Sequence, residues 1–133
     1  MDTIRIGLVG TGRIGQIHAR TLSTLPGVKL VAVTDVNQES ARACAAACGA
    51  QVVADYAALL ADPSLDAVLI ASSTDTHAPF IVQAAQAGKH IFCEKPISAD
   101  LAEIDKALAA VEKAGVRLMI AFNRRFDANH QRI

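Results

Sequence analysis

The chain has 133 residues, 52% of them hydrophobic, which suits one domain with a real core and is too short for two ordinary ones. Thirteen basic residues balance thirteen acidic ones, which excludes a strong overall field for attracting nucleic acid or an anionic membrane. Because no run of about 18 apolar residues occurs, we predict a soluble cytoplasmic protein that recognises its ligands locally.

Strand-like and helical patterns alternate along the chain, which indicates βαβ units and a parallel sheet. The predicted strands cover residues 3–9, 28–35, 51–54, 66–71, 90–93 and 116–122. The predicted helices cover residues 13–25, 38–48, 56–61, 76–87 and 101–114. Six strands with crossover helices predict the α/β doubly wound parallel sheet of the Rossmann fold, in the order 3-2-1-4-5-6.

Polar and glycine residues mark the predicted helix ends. Asp55 and Thr76 are expected N-caps, and Asp100 with Glu103 is expected to form a capping box. The helices are expected to end at three glycines, Gly49, Gly88 and Gly115.

The motif "GTGRIG" follows the first predicted strand and opens the first helix. Its three glycines have the spacing G-x-G-x-x-G, which is typical of a turn that receives a pyrophosphate at a helix N-terminus. The expected cofactor contacts from this loop are Gly10, Thr11, Gly12, Arg13 and Ile14. The alternative is a glycine turn with a purely structural role.

Asp35 ends the second predicted strand, twenty residues after Gly15. A carboxylate there can accept hydrogen bonds from both hydroxyls of an adenosine ribose and would repel a 2′-phosphate. The predicted cofactor is therefore NAD rather than NADP. Arg13 could soften this preference by turning towards the ribose, although contact with the pyrophosphate or solvent is favoured.

The segment "ASSTDTHAPF" follows the fourth predicted strand, on the same sheet edge as the glycine loop. Ser72, Ser73 and Thr74 are expected to bind the cofactor, with helix capping as the alternative. His77 is expected in the first helical turn, where the helix dipole favours a neutral, hydrogen-bonding ring at the cofactor site. No role is assigned to three other histidines, His18, His90 and His130.

Three cysteines suit a reducing compartment better than a disulfide framework. Cys44 and Cys48 lie one helical turn apart, and packing is favoured over metal binding because no further ligands stand nearby. We predict no metal site. Cys93 is expected to be a small apolar residue at a strand end, open to oxidation beside a lysine.

Four segments, "GLVGTGRIGQIHA", "STDTHA", "AGKHIFCEKP" and "FNRRFD", occur in an order that resembles the glucose-fructose oxidoreductase and inositol dehydrogenase (Gfo/Idh/MocA) family. The resemblance covers essentially the whole chain and is greatest to the inositol 2-dehydrogenase branch. It implies an NAD-dependent oxidoreductase that transfers hydride between nicotinamide and a ring hydroxyl of a polyol or sugar, with myo-inositol as the expected substrate.

The resemblance also assigns roles to the residues of "EKP". It implies that Lys95 is catalytic and contacts both substrate and cofactor, and that Glu94 lies beside the cofactor. An ammonium at that position would stabilise the developing alkoxide and assist proton loss. A cis peptide bond before Pro96 is expected. The alternative for Lys95 is a solvated lysine at a strand end.

The same resemblance implies that Asn123 and Arg125 face the polyol. The segment "FNRRFD" is expected to end strand six, where side-chain alternation turns one of two neighbouring arginines inward. We select Arg125 over Arg124, with a pair of solvated arginines as the alternative.

Family members continue into a second domain that supplies an aspartate and a histidine. We therefore expect residues 1–121 to be the dinucleotide-binding domain and residues 122–133 to begin the connection to an absent substrate domain. The chain alone is expected to be inactive, and the full-length form to be a homo-oligomer without nucleic-acid or membrane partners. The alternative is a stand-alone dinucleotide-binding module without turnover.

Overall fold

The computed structural model describes residues 2–129 and contains one six-stranded sheet. The strands are β1 (Ile4–Val9), β2 (Val28–Thr34), β3 (Gln51–Val52), β4 (Ala67–Ile70), β5 (His90–Glu94) and β6 (Leu118–Ala121). Every pairing is parallel and the order is β3-β2-β1-β4-β5-β6. The predicted doubly wound sheet and its strand order are confirmed.

Helices connect consecutive strands, as the hydrophobic periodicity indicates. They are α1 (Arg13–Thr24), α2 (Gln38–Cys48), α3 (Tyr56–Ala61), α4 (Thr74–Gln86) and α5 (Leu101–Ala114). After β6 the chain turns into a 3-10 helix, Asn123–Phe126. The expectation that "FNRRFD" ends strand six is therefore wrong, and strand alternation cannot decide which arginine points inward. The prediction for His130 lies outside the described residues.

Helix ends follow the capping rules at most of the expected positions. Asp55 accepts a hydrogen bond from the amide of Ala58 and Asp100 from that of Ala102, so both are N-caps. Gly49 and Gly115 end their helices with φ of 70°, a conformation that costs glycine little.

The expected N-cap at Thr76 is wrong. Helix α4 begins at Thr74, with Ser73 as its N-cap residue. Thr76 lies inside the first turn, where its Oγ1 donates to the carbonyl oxygen of Ser73 at 2.6 Å. The helix therefore starts two residues nearer β4 than the sequence pattern predicts, because the backbone at Ser72 and Ser73 turns immediately after the strand.

Two hydrophobic cores cover the two faces of the sheet. Successive strand residues point to opposite faces, so Leu8 and Leu69 enter the core against α1 and α2. Their neighbours Val9 and Ile70 enter the core with Ile81 of α4. Both faces are thus covered by helices, which explains why the central strands are apolar without alternation.

The carboxyl ends of all the strands lie along one edge of the sheet. Connections leave β1 and β4 towards opposite faces, and these two strands are neighbours at the centre. Such a point in a doubly wound sheet opens a crevice outside the strand ends, where ligands bind. The loops after β1, β2, β3 and β4 all meet there.

Candidate functional site

The loop after β1 is shaped by two glycines that leave no room for a side chain. Gly10 has φ of +97°, and a Cβ there would lie 2.4 Å from the backbone of Ala71 and Ser72. A Cβ on Gly15 would lie 1.9 Å from the carbonyl oxygen of Gly10. The loop and the first turn of α1 are therefore packed directly against the loop after β4.

Gly12 is different, because a Cβ at this position would meet nothing within 4 Å. It is the N-cap residue of α1, and its side-chain face is open to the crevice. An open glycine at a helix N-terminus allows a phosphate to approach the free backbone N–H groups. The loop thus fits a pyrophosphate.

Thr11 holds the loop in shape from within. Its side chain is fully buried, and its amide donates to Oδ2 of Asp35 at 2.7 Å. Its carbonyl oxygen accepts from Oγ of Ser40 at 2.8 Å and from Nε2 of Gln16 at 3.1 Å. Thr11 was expected to contact the cofactor, but the buried side chain bonds to Ser40 instead. Ser40 and Gln16 are supports that the sequence analysis missed.

Asp35 anchors two backbone amides and lies at the crevice. Besides the bond to Thr11, its Oδ1 accepts from the amide of Asn37 at 2.8 Å. A carboxylate has about four lone-pair sites, so further hydrogen bonds to a ribose are available. Asp35 therefore anchors the loop and keeps spare acceptor capacity at the crevice.

These loops surround a cavity of about 770 Å³. This volume is within the range of cofactor sites. The predicted residues that line it are Gly10, Gly12, Arg13, Ile14, Asp35, Ser72 and Ser73. Thr76 also lines it, whereas Thr74 and His77 do not. The structure thus brings together most of the predicted cofactor contacts.

An aromatic pair forms an apolar wall of the same cavity. The rings of Tyr56 and Phe80 stack with centroids 4.0 Å apart, and the Tyr56 hydroxyl donates to the carbonyl oxygen of Phe80 at 2.8 Å. Burial raises the pKa of Tyr56, so the hydroxyl remains a donor. Val36 lines the cavity with an exposed side chain. A flat apolar wall in the cavity that Asp35 also lines suits an adenine ring. The sequence analysis missed this wall because Tyr56 and Phe80 are distant in sequence.

His77 is buried, with 2% of its surface exposed. Its Nδ1 lies 2.7 Å from the carbonyl oxygen of Pro96 and its Nε2 lies 2.8 Å from that of Ser72. The ring therefore bonds to the main chain of two site loops and does not line the cofactor cavity, and its predicted part in cofactor binding stays a prediction.

Glu94 ends β5 and is bound by a histidine. Nε2 of His18, in α1, lies 2.6 Å from Oε1 of Glu94, and each side chain is 22% exposed. The His18 ring also contacts Phe92 edge-on, with centroids 5.6 Å apart. The sequence analysis gave His18 no role. His90 also has a partner, because its Nδ1 accepts from the amide of Arg117.

Lys95 is exposed at the carboxyl edge of the sheet and precedes Pro96 through a cis peptide bond, as expected. Together with Phe122, Asn123 and Arg124 it lines a second cavity of about 450 Å³. Lys95 and Asn123, both predicted to contact the substrate, line the same cavity. The arginine at this cavity is Arg124, whereas the sequence analysis selected Arg125.

Two of the three cysteines, Cys44 and Cys93, are buried. The structure thus corrects the expectation that Cys93 is open to oxidation. Cys93 is fully buried, and burial together with the Glu94 carboxylate raises the pKa of its thiol to about 12. Cys44 and Cys48 lie on α2, and all three cysteines are free. Within residues 2–129, no group of three His, Cys, Asp or Glu side chains is placed to hold a metal ion.

In the folded chain at pH 8, Cys93 is expected to resist iodoacetamide, because its thiol is fully buried and its raised pKa disfavours the reactive thiolate. Burial also raises the pKa of Cys44, so the half-buried Cys48 should be alkylated first. Timed labelling followed by mass spectrometry measures the order. Urea-unfolded chain, in which all three thiols should label together, is the control. Labelling of Cys93 before Cys48 in the folded chain would contradict this placement.

The glycine loop, the anchored Asp35 and the crevice at the sheet centre define a dinucleotide-binding domain of the doubly wound class. A family model described as "Oxidoreductase family, NAD-binding Rossmann fold" matches residues 4–122. The chain therefore belongs to this oxidoreductase family, and the cofactor that its site fits is NAD. Among residues 2–129, no helix has both the length and the hydropathy that a bilayer span needs.

Relatives in the same family include named inositol dehydrogenases. The chain is 42% identical over 131 residues to a myo-inositol 2-dehydrogenase of Thermotoga maritima and 46% identical over 125 residues to an inositol 2-dehydrogenase of Rhizobium meliloti. These alignments cover 98% and 94% of the chain but 39% and 38% of the relatives. The chain thus spans about two fifths of the length of these relatives.

A solved structure has the same fold with ligands bound. It is the scyllo-inositol dehydrogenase of Lactobacillus casei with NAD(H) and scyllo-inositol, at a TM-score of 0.93 and 34% identity. The match covers 98% of the chain and 39% of that structure. The predicted family, fold and cofactor are confirmed.

Proposed function

We propose that the chain is the cofactor-binding part of an NAD-dependent dehydrogenase that oxidises a ring hydroxyl of a cyclic polyol, with an inositol as substrate. The observation that carries the proposal is the cavity shared by Lys95, Asn123 and Arg124, on the same carboxyl edge of the sheet as the glycine loop. The named activities of the relatives, inositol 2-dehydrogenases, support the substrate class.

We propose distinct tasks for the two cavities. The Gly12 backbone would receive the pyrophosphate, Asp35 the adenosine ribose, and the Tyr56–Phe80 wall the adenine. Contacts from Ser72 and Ser73 would continue towards the nicotinamide end, with Thr74 nearby in the chain. The open side of Gly12 and the spare acceptor capacity of Asp35 support this fit.

Bound NAD would supply the acceptor for the hydride that leaves the carbinol carbon. In the overall reaction the alcohol loses one hydride and one proton and becomes a ketone. The Lys95 ammonium would donate a hydrogen bond to the hydroxyl oxygen and stabilise the negative charge that develops there. Lys95 would also relay the hydroxyl proton, since its ammonium would release one of its own protons to solvent water and take up the hydroxyl proton in its place. Asn123 and an arginine would orient the polyol.

We propose Arg124 as that arginine because it lines the Lys95 cavity, with Arg125 as the alternative from the family resemblance. We also propose residues 1–121 as the cofactor domain and residues 122–133 as the start of a connection to a second domain. The end of β6 at Ala121 and the longer relatives support this division. Three free cysteines support a reducing, cytoplasmic location.

Saturation-transfer NMR tests the proposal on the 133-residue chain. With NAD present, myo-inositol is expected to receive saturation from the protein, and Lys95→Met should weaken this transfer about tenfold through the loss of a charged hydrogen bond. Lys106→Met, at an exposed position of α5, is the matched control and should leave the transfer unchanged.

The possible outcomes separate the two functions. Transfer to NAD without any transfer to inositol would favour a stand-alone dinucleotide-binding module. Equal transfer to inositol in the wild type and in Lys95→Met would contradict the role of Lys95. Transfer that Lys95→Met removes and Lys106→Met retains is the result expected of a polyol dehydrogenase.

A further inference from the structure

The residues on either side of Lys95 are both bound by histidines. On one side, Nε2 of His18 lies 2.6 Å from the Glu94 carboxylate. On the other, Nδ1 of His77 lies 2.7 Å from the carbonyl oxygen of Pro96. Lys95 itself is exposed. Its chain neighbours are held by these two contacts, by the pairing of Glu94 with Ala121 of β6, and by the packing of Ile97 on the core.

The two histidines come from the two helices that begin at the cofactor cavity. His18 lies in α1, which starts directly after the glycine loop. His77 lies in α4, which starts directly after the Ser72–Ser73 loop. Each histidine therefore joins a helix that starts at the cofactor cavity to the Glu94–Pro96 segment.

His77 makes a second link that is part of the same arrangement. Its Nε2 lies 2.8 Å from the carbonyl oxygen of Ser72, and Ser72 lines the cofactor cavity. Both partners of the ring are carbonyl oxygens, which only accept hydrogen bonds. A neutral ring donates to one of them and a doubly protonated ring to both. No other residue type of this volume presents two opposed N–H donors in one plane.

We propose that His18 and His77 are positioning residues, which hold Lys95 in a fixed place relative to bound cofactor. They do so by tying Glu94 and Pro96 to α1 and α4, the two helices that begin at the cofactor cavity. The inference rests on the proposed function, in which Lys95 acts beside the nicotinamide. Neither histidine lines either cavity, so both act through the segment that they hold.

A purely structural role for the histidines makes a different prediction. Loss of a structural contact lowers stability and weakens the binding of all nucleotides alike. Loss of a positioning contact leaves the binding of the adenosine half of the cofactor unchanged. It alters only the contact between Lys95 and the nicotinamide half. ADP-ribose, which lacks the nicotinamide, separates the two cases.

The experiment uses the 133-residue chain with its lysines reductively dimethylated with ¹³C, and the Lys95 signal assigned by Lys95→Arg. In the wild type, NAD is expected to shift this signal and ADP-ribose is not. In His18→Phe and His77→Phe, the affinity for ADP-ribose should stay within about twofold while the NAD-induced shift falls by more than half. His18→Gln, which retains a donor for Glu94, should restore most of the shift.

His77→Phe removes the ring donor from the part-buried contacts with the carbonyl oxygens of Ser72 and Pro96 and so could lower stability. His77→Gln, which keeps one donor, should retain most of the shift, as His18→Gln should. His18, whose side chain is 22% exposed, gives an independent measurement. NAD-induced shifts equal to wild type in His18→Phe, or in a folded His77→Phe, would overturn the inference. Parallel losses of affinity for NAD and ADP-ribose would also overturn it, in favour of a structural role. If NAD does not shift the Lys95 signal in the wild type, the proposed function itself is overturned.

Discussion

Replacement of Gly15 by alanine is expected to lower the free energy of unfolding by about 3 kcal/mol or more, enough to unfold a marginally stable domain. The added Cβ would lie 1.9 Å from the carbonyl oxygen of Gly10, so α1 would have to move away from the loop. Gly10 cannot yield, because its own backbone is packed against Ala71 and Ser72. Urea denaturation followed by circular dichroism measures the loss.

Gly12→Ala is the matched control, because its Cβ would meet nothing within 4 Å. Its unfolding free energy should stay within about 1 kcal/mol of wild type, since only the N-cap preference changes. Its NAD affinity should nevertheless fall at least about tenfold, because a methyl group would occupy the place where the pyrophosphate approaches. Equal stability of Gly15→Ala and Gly12→Ala would show that the packing of α1 on the loop is not tight.

Asp35→Ala is expected to weaken NAD binding by about 30- to 100-fold, or about 2–3 kcal/mol. The substitution removes the acceptor for the ribose hydroxyls and also the anchor of the Thr11 amide. The amide of Asn37 loses its acceptor as well. Isothermal titration calorimetry with NAD measures the change.

Two further variants separate the contributions of Asp35. Ser40→Ala removes a hydrogen bond to the carbonyl oxygen of Thr11 without altering any group that faces the ribose. It should therefore weaken NAD binding by less than about threefold. Asp35→Asn removes the charge and should narrow the preference for NAD over NADP, because a 2′-phosphate is no longer repelled. Equal wild-type affinity for NAD and NADP, or an unchanged affinity in Asp35→Ala, would contradict the assignment.

The sheet and the glycine loop could be predicted from sequence because their signals are local. Apolar runs of strand length, separated by helical periodicity, are enough to order β1 to β6 under the right-handed crossover rule. The spacing of Gly10, Gly12 and Gly15 reports a steric requirement that the structure shows directly. Asp35 was found for the same reason, since the end of β2 must lie beside the end of β1.

The missed features depend on contacts between distant parts of the chain. His18 and Glu94 are 76 positions apart, and nothing near either residue in the sequence indicates the pair. Thr11 was expected to face the ligand, but its side chain turns inward to Ser40, a residue of α2. Such pairings follow from how helices pack on the sheet, and that packing is set by the whole core.

The segment after β6 shows a second reason why a prediction from sequence can fail. Its sequence, "FNRRF", directly follows the apolar residues of the sixth predicted strand, and period-two alternation continued from that strand would select one arginine. The chain forms a 3-10 helix there instead, so neighbouring side chains are spread around an axis rather than across a plane. Arg124, rather than Arg125, consequently lines the cavity with Lys95.

A crystal structure of the chain grown with NAD tests the central claim most directly, namely that the loops after β1 and β2 hold the dinucleotide so that its nicotinamide reaches Lys95. We expect the pyrophosphate at Gly12, the adenosine ribose hydrogen-bonded to Asp35, and the nicotinamide ring beside the Lys95 ammonium. Bound NAD whose nicotinamide points away from Lys95, or whose ribose makes no contact with Asp35, would contradict the claim.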